Sequence, residues 1–282
     1  MKLKRILATV LATIATVATL GFAGCGSKDV KVMKDILLTE EDYAFAIKHE
    51  NVTLLTQVNL MLADWEADGS LDALINSYFD GDPTFTYENK TSTPEDDDFV
   101  MATNAAFPPF EYKKGDKFTG IDVQIAYNIA NTLGKDLFVY DMEFDSIISS
   151  VKNGESDIGM AGMTVNAERL LQVSFATPYY SSAQVITVRA DDTTFDACTT
   201  AAEVEAILKT KTKDYKIGTQ NGTTGYMYSA GDEGFGYDGF KNLTTNGYTT
   251  GALAMKDLSN GKIDAVILDL QPSILIAQSV NK

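Results

Sequence analysis

The amino-acid sequence predicts an α/β protein built from two similar lobes. From Phe99 to Lys282 short apolar runs alternate with stretches of helical period, the rhythm of a parallel sheet covered by helices on both faces. One unit also occurs twice. Ile147 to Val151, Asn153-Gly154 and the strand Asp157 to Met163 lead to Thr164, while Ala252 to Leu258, Asn260-Gly261 and the strand Asp264 to Leu268 lead to Asp269. Both copies put Gly after a helix end, where a left-handed residue is favoured, and open the next strand with Asp at the same spacing. A chain of 282 residues that is 45% apolar can bury two medium cores.

The chain opens with Lys2-Leu3-Lys4-Arg5, an apolar run from Ile6 to Leu20, and Gly21-Phe22-Ala23-Gly24-Cys25, the pattern of an export signal. An uncut anchor is the alternative, because Ile6 to Gly24 is nearly long enough to span a bilayer. Either way the folded part is expected outside the cytoplasm. Val30 to Leu38 reads as a short strand and loop, and Tyr43 to Ile47 alternates like a strand. Asn51 is placed to cap a helix whose apolar face, Leu54, Leu55, Val58, Leu62 and Trp65, stops at Asp68-Gly69. Ser70 is expected to cap a shorter helix to Phe79. Residues 80–98, polar and aperiodic with Pro83 and Pro94, read as a linker.

Next come the strand Phe99 to Thr103, a helix from Asp122 to Leu133, the strand Leu137 to Tyr140, a helix near Ile147 and the strand Ile158 to Met163. The apolar run Gln184 to Val188, followed by Asp191-Asp192, marks the lobe boundary. Beyond it, strand Lys216 to Gly218 precedes the loop Gln220-Asn-Gly-Thr-Thr-Gly225.

A formal charge of −16 repels nucleic acid and anionic head groups at long range, so nucleic acid is not an expected partner. Cys25 and Cys198 are the 2 cysteines, and with Cys25 at the leader junction no disulfide within the chain is expected. His49 is the 1 histidine, so no zinc set of the usual kind is present; no metal catalysis or cofactor is expected, with a hard cation held by carboxylates left open.

Ala102-Thr-Asn-Ala-Ala-Phe-Pro-Pro-Phe-Glu-Tyr112, Gly120-Ile-Asp-Val-Gln124, Gly162-Met-Thr-Val-Asn-Ala-Glu-Arg169, Phe175-Ala-Thr-Pro-Tyr-Tyr180 and Asp264 to Asp269 occur in that order. Together they resemble the extracytoplasmic solute-binding proteins of polar amino acid ABC transporters. The resemblance runs from Phe99 to Lys282 and departs at Gln124, where the family usually has an acid. It implies a two-lobed periplasmic-binding-protein (type II) fold, each lobe a mostly parallel sheet flanked by helices, joined by two hinge strands. It also implies a lipoprotein signal with lipidation at Cys25, Phe22 standing where Leu is commoner. Segments like Leu38 to Ile47, Leu54 to Trp65 and Ala67 to Phe79 close the chain in the family but come first here, which implies a circular permutation. The expected organisation is a signal peptide at 1–24, a lipidated tether at 25–29, a piece of lobe 2 at 30–42, and a return strand and helices of lobe 1 at 43–79. A linker created by the permutation follows at 80–98, then lobe 1 at 99–189 and lobe 2 at 190–282.

The residues alone bring aromatic faces, a hydroxyl and a guanidinium to the carboxyl ends of adjacent strands, where open α/β sheets bind a small anionic or zwitterionic ligand. Arg169 sits early in a helix that Asn166 can cap, against the positive end of the dipole, so an anion should compensate it; Glu168 would serve as well as a ligand. The resemblance assigns Arg169 to a ligand α-carboxylate in bidentate geometry. Thr164 and Gly162 assist, and from the other lobe Gln220, Thr223 and Thr224 close over it, unless that loop is a plain turn. Asp269 is assigned to the ligand ammonium, with helix capping ahead of Pro272 as the alternative. Phe107 and Phe144 are expected to sandwich the ligand side chain, unless they are core. Tyr179-Tyr180 should shape the hinge.

Asn104 stands where cation-preferring relatives often carry Asp, which favours a neutral polar amino acid such as glutamine and leaves arginine and cystine open. The implied partners are a free amino acid, an ABC transporter permease and the membrane through Cys25, with the protein itself a monomer. Two other functions fit the architecture. One is a cyclohexadienyl or arogenate dehydratase-like enzyme using Glu143 or Glu111 as general acid, which requires a raised pKa in the cleft. The other is a sensor subunit.

Overall fold

The computed structural model describes residues 28–80 and 83–282; the leader and Cys25 lie outside them. The chain runs through β1 (Val30–Val32), β2 (Glu41–Tyr43), β3 (Ala46–Ile47), α1 (Val52–Ala67), α2 (Ser70–Asp80), β4 (Phe99–Thr103), β5 (Ala106–Phe107), β6 (Glu111–Lys114) and β7 (Lys117–Thr119). Then come α3 (Ile121–Leu133), β8 (Leu137–Asp141), α4 (Ile147–Asn153), β9 (Ile158–Gly159), α5 (Ala167–Leu170), β10 (Ser174–Phe175), β11 (Tyr180–Ser182) and β12 (Gln184–Arg189). The remainder is α6 (Ala201–Leu208), β13 (Lys216–Gln220), α7 (Thr224–Ala230), β14 (Thr244–Tyr248), α8 (Gly251–Ser259), β15 (Ala265–Asp269) and α9 (Leu270–Val280).

Helix α1 forms as its pattern predicts. The Asn51 side chain accepts the Leu54 N–H at 3.2 Å, and Leu54, Val58 and Leu62 bury one face. Ser70, expected as the next cap, is instead the first residue of α2; Asp68 accepts its N–H at 2.8 Å, because Gly69 at φ 79° turns the chain straight from one helix into the other.

Two five-stranded sheets form the lobes, ordered β10-β3-β9-β4-β8 and β1-β12-β15-β13-β14. Their plans correspond strand for strand. In each, the last two pairings are parallel and the first two antiparallel. The mostly parallel sheets expected are therefore mixed. Strands β3 and β12 arrive through the hinge from the opposite lobe rather than over a helical crossover, so nothing requires them to run parallel.

The sequence repeat has a structural cause. In the first lobe the Asp157 N–H donates to the Val100 carbonyl at 2.9 Å and the Asp157 carboxylate accepts the Val100 N–H at 2.8 Å. In the second lobe Asp264 makes the same pair of bonds to Lys216, at 2.9 and 2.8 Å. Each Asp pins its strand beside the central one, and Gly154 and Gly261, at φ 78° and 71°, release the preceding helix.

Several expected boundaries change. Strand β12 belongs to the second sheet, pairing with β1 and β15, so lobe 2 begins near Gln184 rather than at 190. The run Tyr43 to Ile47 is broken between β2 and β3, because β2 pairs with β11 in a separate two-stranded hinge while β3 enters the lobe 1 sheet. Strand β9 stops at Gly159, and Thr164 instead bridges Tyr43. The segment after α2 is a seated edge rather than a free linker. Tyr87 and Phe118 exchange backbone bonds of 2.7 and 2.8 Å, and the Asn89 carboxamide both donates to and accepts from the Val139 backbone at 2.9 Å. Phe85 and Tyr87 pack on the lobe 1 core, and that apolar burial offsets the entropy of ordering the segment.

Candidate functional site

The lobes meet around one small cavity. Lobe 1 lines it with Phe107, Glu111, Phe144, Ala161, Gly162, Thr164 and Arg169, and lobe 2 with Gln220, Thr223, Thr224 and Asp269. The enclosed space is about 10 Å³, room for one water. Residues of the two lobes hold each other around it. The Gln220 Nε2 donates to Asn104 Oδ1 at 3.0 Å, the Thr224 hydroxyl to the Thr164 hydroxyl at 3.1 Å, and the Arg169 Nη2 to the Gly222 carbonyl at 3.0 Å. Anything of amino-acid size enters only when the lobes part.

Arg169 is positioned as its spacing predicts: Asn166 caps α5 by accepting the Arg169 N–H at 2.9 Å. The alternative of a surface pair with Glu168 does not hold, because the Arg169 side chain is buried and donates from Nη1 to the Thr164 carbonyl at 2.6 Å. Its guanidinium lies over the rings of Phe144 and Phe235, 5.4 and 5.5 Å from their centroids. Burial pulls it down to about 10, against the fields of Glu41 and Asp269.

Asp269 stands at the N-cap position of α9 with φ −62° and ψ 147°, yet its side chain makes no capping bond. It accepts the phenol hydrogen of Tyr43 instead. Burial, and then the nearby Glu41, push its carboxyl up to about 7. The loop before α7 is more than a plain turn. Thr223 caps α7, accepting the Tyr226 N–H and donating to the Gln220 carbonyl at 2.8 Å, which leaves Thr224 to cross the cleft.

Gly162 has φ 52° and lies so close to Phe107 that a Cβ would sit 2.8 Å from its ring. Phe107 both lines the cavity and packs in the lobe 1 core. Asn104 is the expected residue that does not line the cavity. Its carboxamide is taken up by the Met142 carbonyl, at 2.7 Å, and by Gln220. Tyr180 lies in the hinge strand β11, as expected, whereas Tyr179 turns its phenol to Asp122 at 2.6 Å.

The structure adds residues that local pattern did not single out. Glu41 accepts the hydroxyls of Thr39 and Thr164 at 2.6 and 2.5 Å and the Gln184 amide at 2.9 Å. Tyr43 is fully buried beside it on the same face of β2. The two-residue alternation of a strand was the available signal, since it puts positions 41 and 43 on one side. Phe235, on the turn after α7, carried none. Among the described residues no cluster of three or more His, Cys, Asp or Glu is arranged to hold a metal ion.

The family model for bacterial extracellular solute-binding proteins, family 3, matches residues 99–225. The chain is 39% identical over 92 residues to the arginine-binding extracellular protein ArtP of Bacillus subtilis, covering 33% of this chain and 36% of that protein. It is 32% identical over 170 residues to ABC transporter arginine-binding protein 1 of Escherichia coli, covering 60% and 62%. The chain thus spans less than two thirds of the length of these curated relatives. Among solved structures, arginine-bound truncated ArgBP from T. maritima is 30% identical with a TM-score of 0.51, covering 66% of this chain and 80% of that one. The ancestral amino acid-binding protein AncCDT-1, described as a precursor of cyclohexadienyl dehydratase, is 27% identical with a TM-score of 0.56, covering 65% and 74%.

Proposed function

The chain belongs to the bacterial extracellular solute-binding proteins, family 3, and we propose from this that it is an extracytoplasmic receptor that closes its lobes on a free α-amino acid and hands it to an ABC transporter permease. The observation that carries the reading is the placement of Arg169 and Asp269 on opposite lobes around one cavity. A guanidinium suits the α-carboxylate and a carboxylate the ammonium, so a zwitterion engages both only on closure.

The buried ionisable side chains weigh on side-chain choice. Glu41, Glu111, Asp122 and Asp269 are buried against the single buried base Arg169 among the described residues. With a zwitterion that surplus is relieved only by protons held on the carboxyls, whereas a cationic side chain offsets it directly, and arginine is the ligand that the relatives' names carry. A neutral polar amino acid such as glutamine is the second reading, supported by the Asn104–Gln220 carboxamide pair on the cleft.

The reading is of a receptor rather than an enzyme, supported by relatives that are transport-associated binding proteins. Of the two carboxyls considered as general acids, Glu143 is exposed and only Glu111 lines the cavity. Lipidation at Cys25 and circular permutation belong to the same proposal. The order of the motifs supports the permutation, as does the seating of β3 between β9 and β10.

Calorimetric titration of the ligand-stripped mature protein against the standard amino acids and cystine tests the reading. Saturable binding of one amino acid is expected, weakened at least ~30-fold in Arg169→Ala, since losing one partner of a desolvated charge pair costs about 2–5 kcal/mol. Turnover of arogenate or prephenate without amino-acid binding would replace the receptor with the enzyme.

A further inference from the structure

Two fully buried carboxyl groups stand together at the cavity wall. Glu111 is paired directly across the β5–β6 ladder from Phe107, and both line the cavity. Glu111 is 0% exposed, and neither of its oxygens receives a hydrogen bond from a donor among the described residues. The strongest charge acting on it belongs to another carboxyl, Asp122, in the first turn of α3. Asp122 is also 0% exposed, and both its oxygens are engaged, one by the Tyr179 phenol at 2.6 Å and one by the Gly162 amide at 3.0 Å.

Two carboxylates in such a place cannot both be charged, and their contact is favourable only with a proton between them. The groups facing the pair from other elements do not relieve it. Asp141 on β8 and Asp269 on β15 add negative charge, and Tyr179 is itself driven up by burial and then by the pair. Arg169 lines the same cavity but donates to the Thr164 and Gly222 carbonyls. Burial and Asp122 hold Glu111 well above the usual carboxylate range, while Asp122 is pushed up to about 7.

With Arg169 and Asp269 assigned to the ligand's α-groups, the wall built by Phe107 and Glu111 is left for its side chain. We propose that Glu111 and Asp122 form a one-proton site at that end of the cavity, which gives up its proton when an amino acid with a cationic side chain binds and keeps it when the side chain is neutral. This rests on the amino-acid receptor reading. A cation within about 4–6 Å favours the ionised carboxylate, so the Glu111 O–H bond breaks, the proton passes to the buffer, and the carboxylate pairs with the ligand. Gly162, which lines the cavity and donates to Asp122, ties the cavity wall to the second carboxyl.

The test is titration of arginine and of glutamine at pH 7 in phosphate and in Tris, whose heats of protonation differ, with the wild type, Glu111→Gln and Asp122→Asn. For arginine the wild-type heat should depend on the buffer, reporting release of up to about one proton per ligand. Glutamine should show no release, and neither should either variant with arginine. Buffer-independent arginine heats in the wild type, undiminished release in Glu111→Gln, or binding confined to neutral amino acids would overturn the proposal. The wild-type comparison decides it even if a variant fails to fold. Absence of binding by any amino acid would instead remove the receptor reading, and this proposal with it.

Discussion

Tyr43, on the hinge strand β2, donates its phenol hydrogen to the carboxylate of Asp269, 226 positions away in the second lobe. Two residues earlier on the same face, Glu41 accepts the Thr164 hydroxyl of the first lobe. One short strand therefore holds a cavity-lining residue of each lobe, which couples the hinge to the cavity.

Removing that phenol should loosen Asp269. The Tyr43 bond favours the ionised carboxylate, so Tyr43→Phe lets the Asp269 carboxyl rise above its present value near 7. A hydrogen bond to a charged group contributes about 1.5–3 kcal/mol, so affinity at pH 7 should drop roughly 10-fold or more and recover as pH rises towards 9. Titrations at pH 6, 7 and 9 measure this; a loss independent of pH would point to packing instead.

Stability of the ligand-free protein should fall as pH rises. The Asp122 carboxyl is raised by burial to about 7 in the folded state, against ~3.9 in an unfolded chain. The folded state binds the proton more tightly, so its contribution is complete below about pH 4 and is lost as pH climbs through 7, by an amount on the order of a few kcal/mol. Urea midpoints should be higher at pH 5.5 than at pH 8.5, and Asp122→Asn should remove much of that difference.

Gly162 and Gly154 separate strain from function. Both are left-handed, but a Cβ at Gly162 meets the Phe107 ring at 2.8 Å, while at Gly154 it meets only the Lys48 Nζ at 3.4 Å. Alanine at either position should cost about 1–2 kcal/mol of stability. Gly162→Ala should in addition displace Phe107 and weaken ligand binding, which Gly154→Ala should leave intact. Thermal unfolding and calorimetry on the two variants distinguish the effects.

Asp157 and Asp264 should prove equivalent. Each carboxylate accepts one backbone N–H of the neighbouring strand at 2.8 Å, so Asp157→Ala and Asp264→Ala should each destabilise by about 1–3 kcal/mol, read from urea unfolding. Unequal losses would show that the two lobes do not rely on this Asp alike.

What could be read along the chain was local. Asn166 three residues before Arg169 announced a cap and placed the guanidinium, and Asn-Gly followed by Asp announced the pinned strand of each lobe. Glu41 gave no such notice. Its partners Thr164 and Gln184 are 123 and 143 positions away, and a buried acid looks like an exposed one until the strands that cover it are in place. The same holds for Asn104, whose engagement by Gln220 from the other lobe takes it off the cavity wall.

The sequence by itself determined the repeated α/β units, their caps and turns, and the arginine and aspartate at their ends, because these follow from steric and hydrogen-bond preferences within a few residues. Only the tertiary structure decided that β12 joins the second sheet, that the segment after α2 is seated on an edge, and which carboxyls lose their water. Desolvation depends on what distant parts of the chain bring against a side chain, and that proximity sets the charge balance of the cleft.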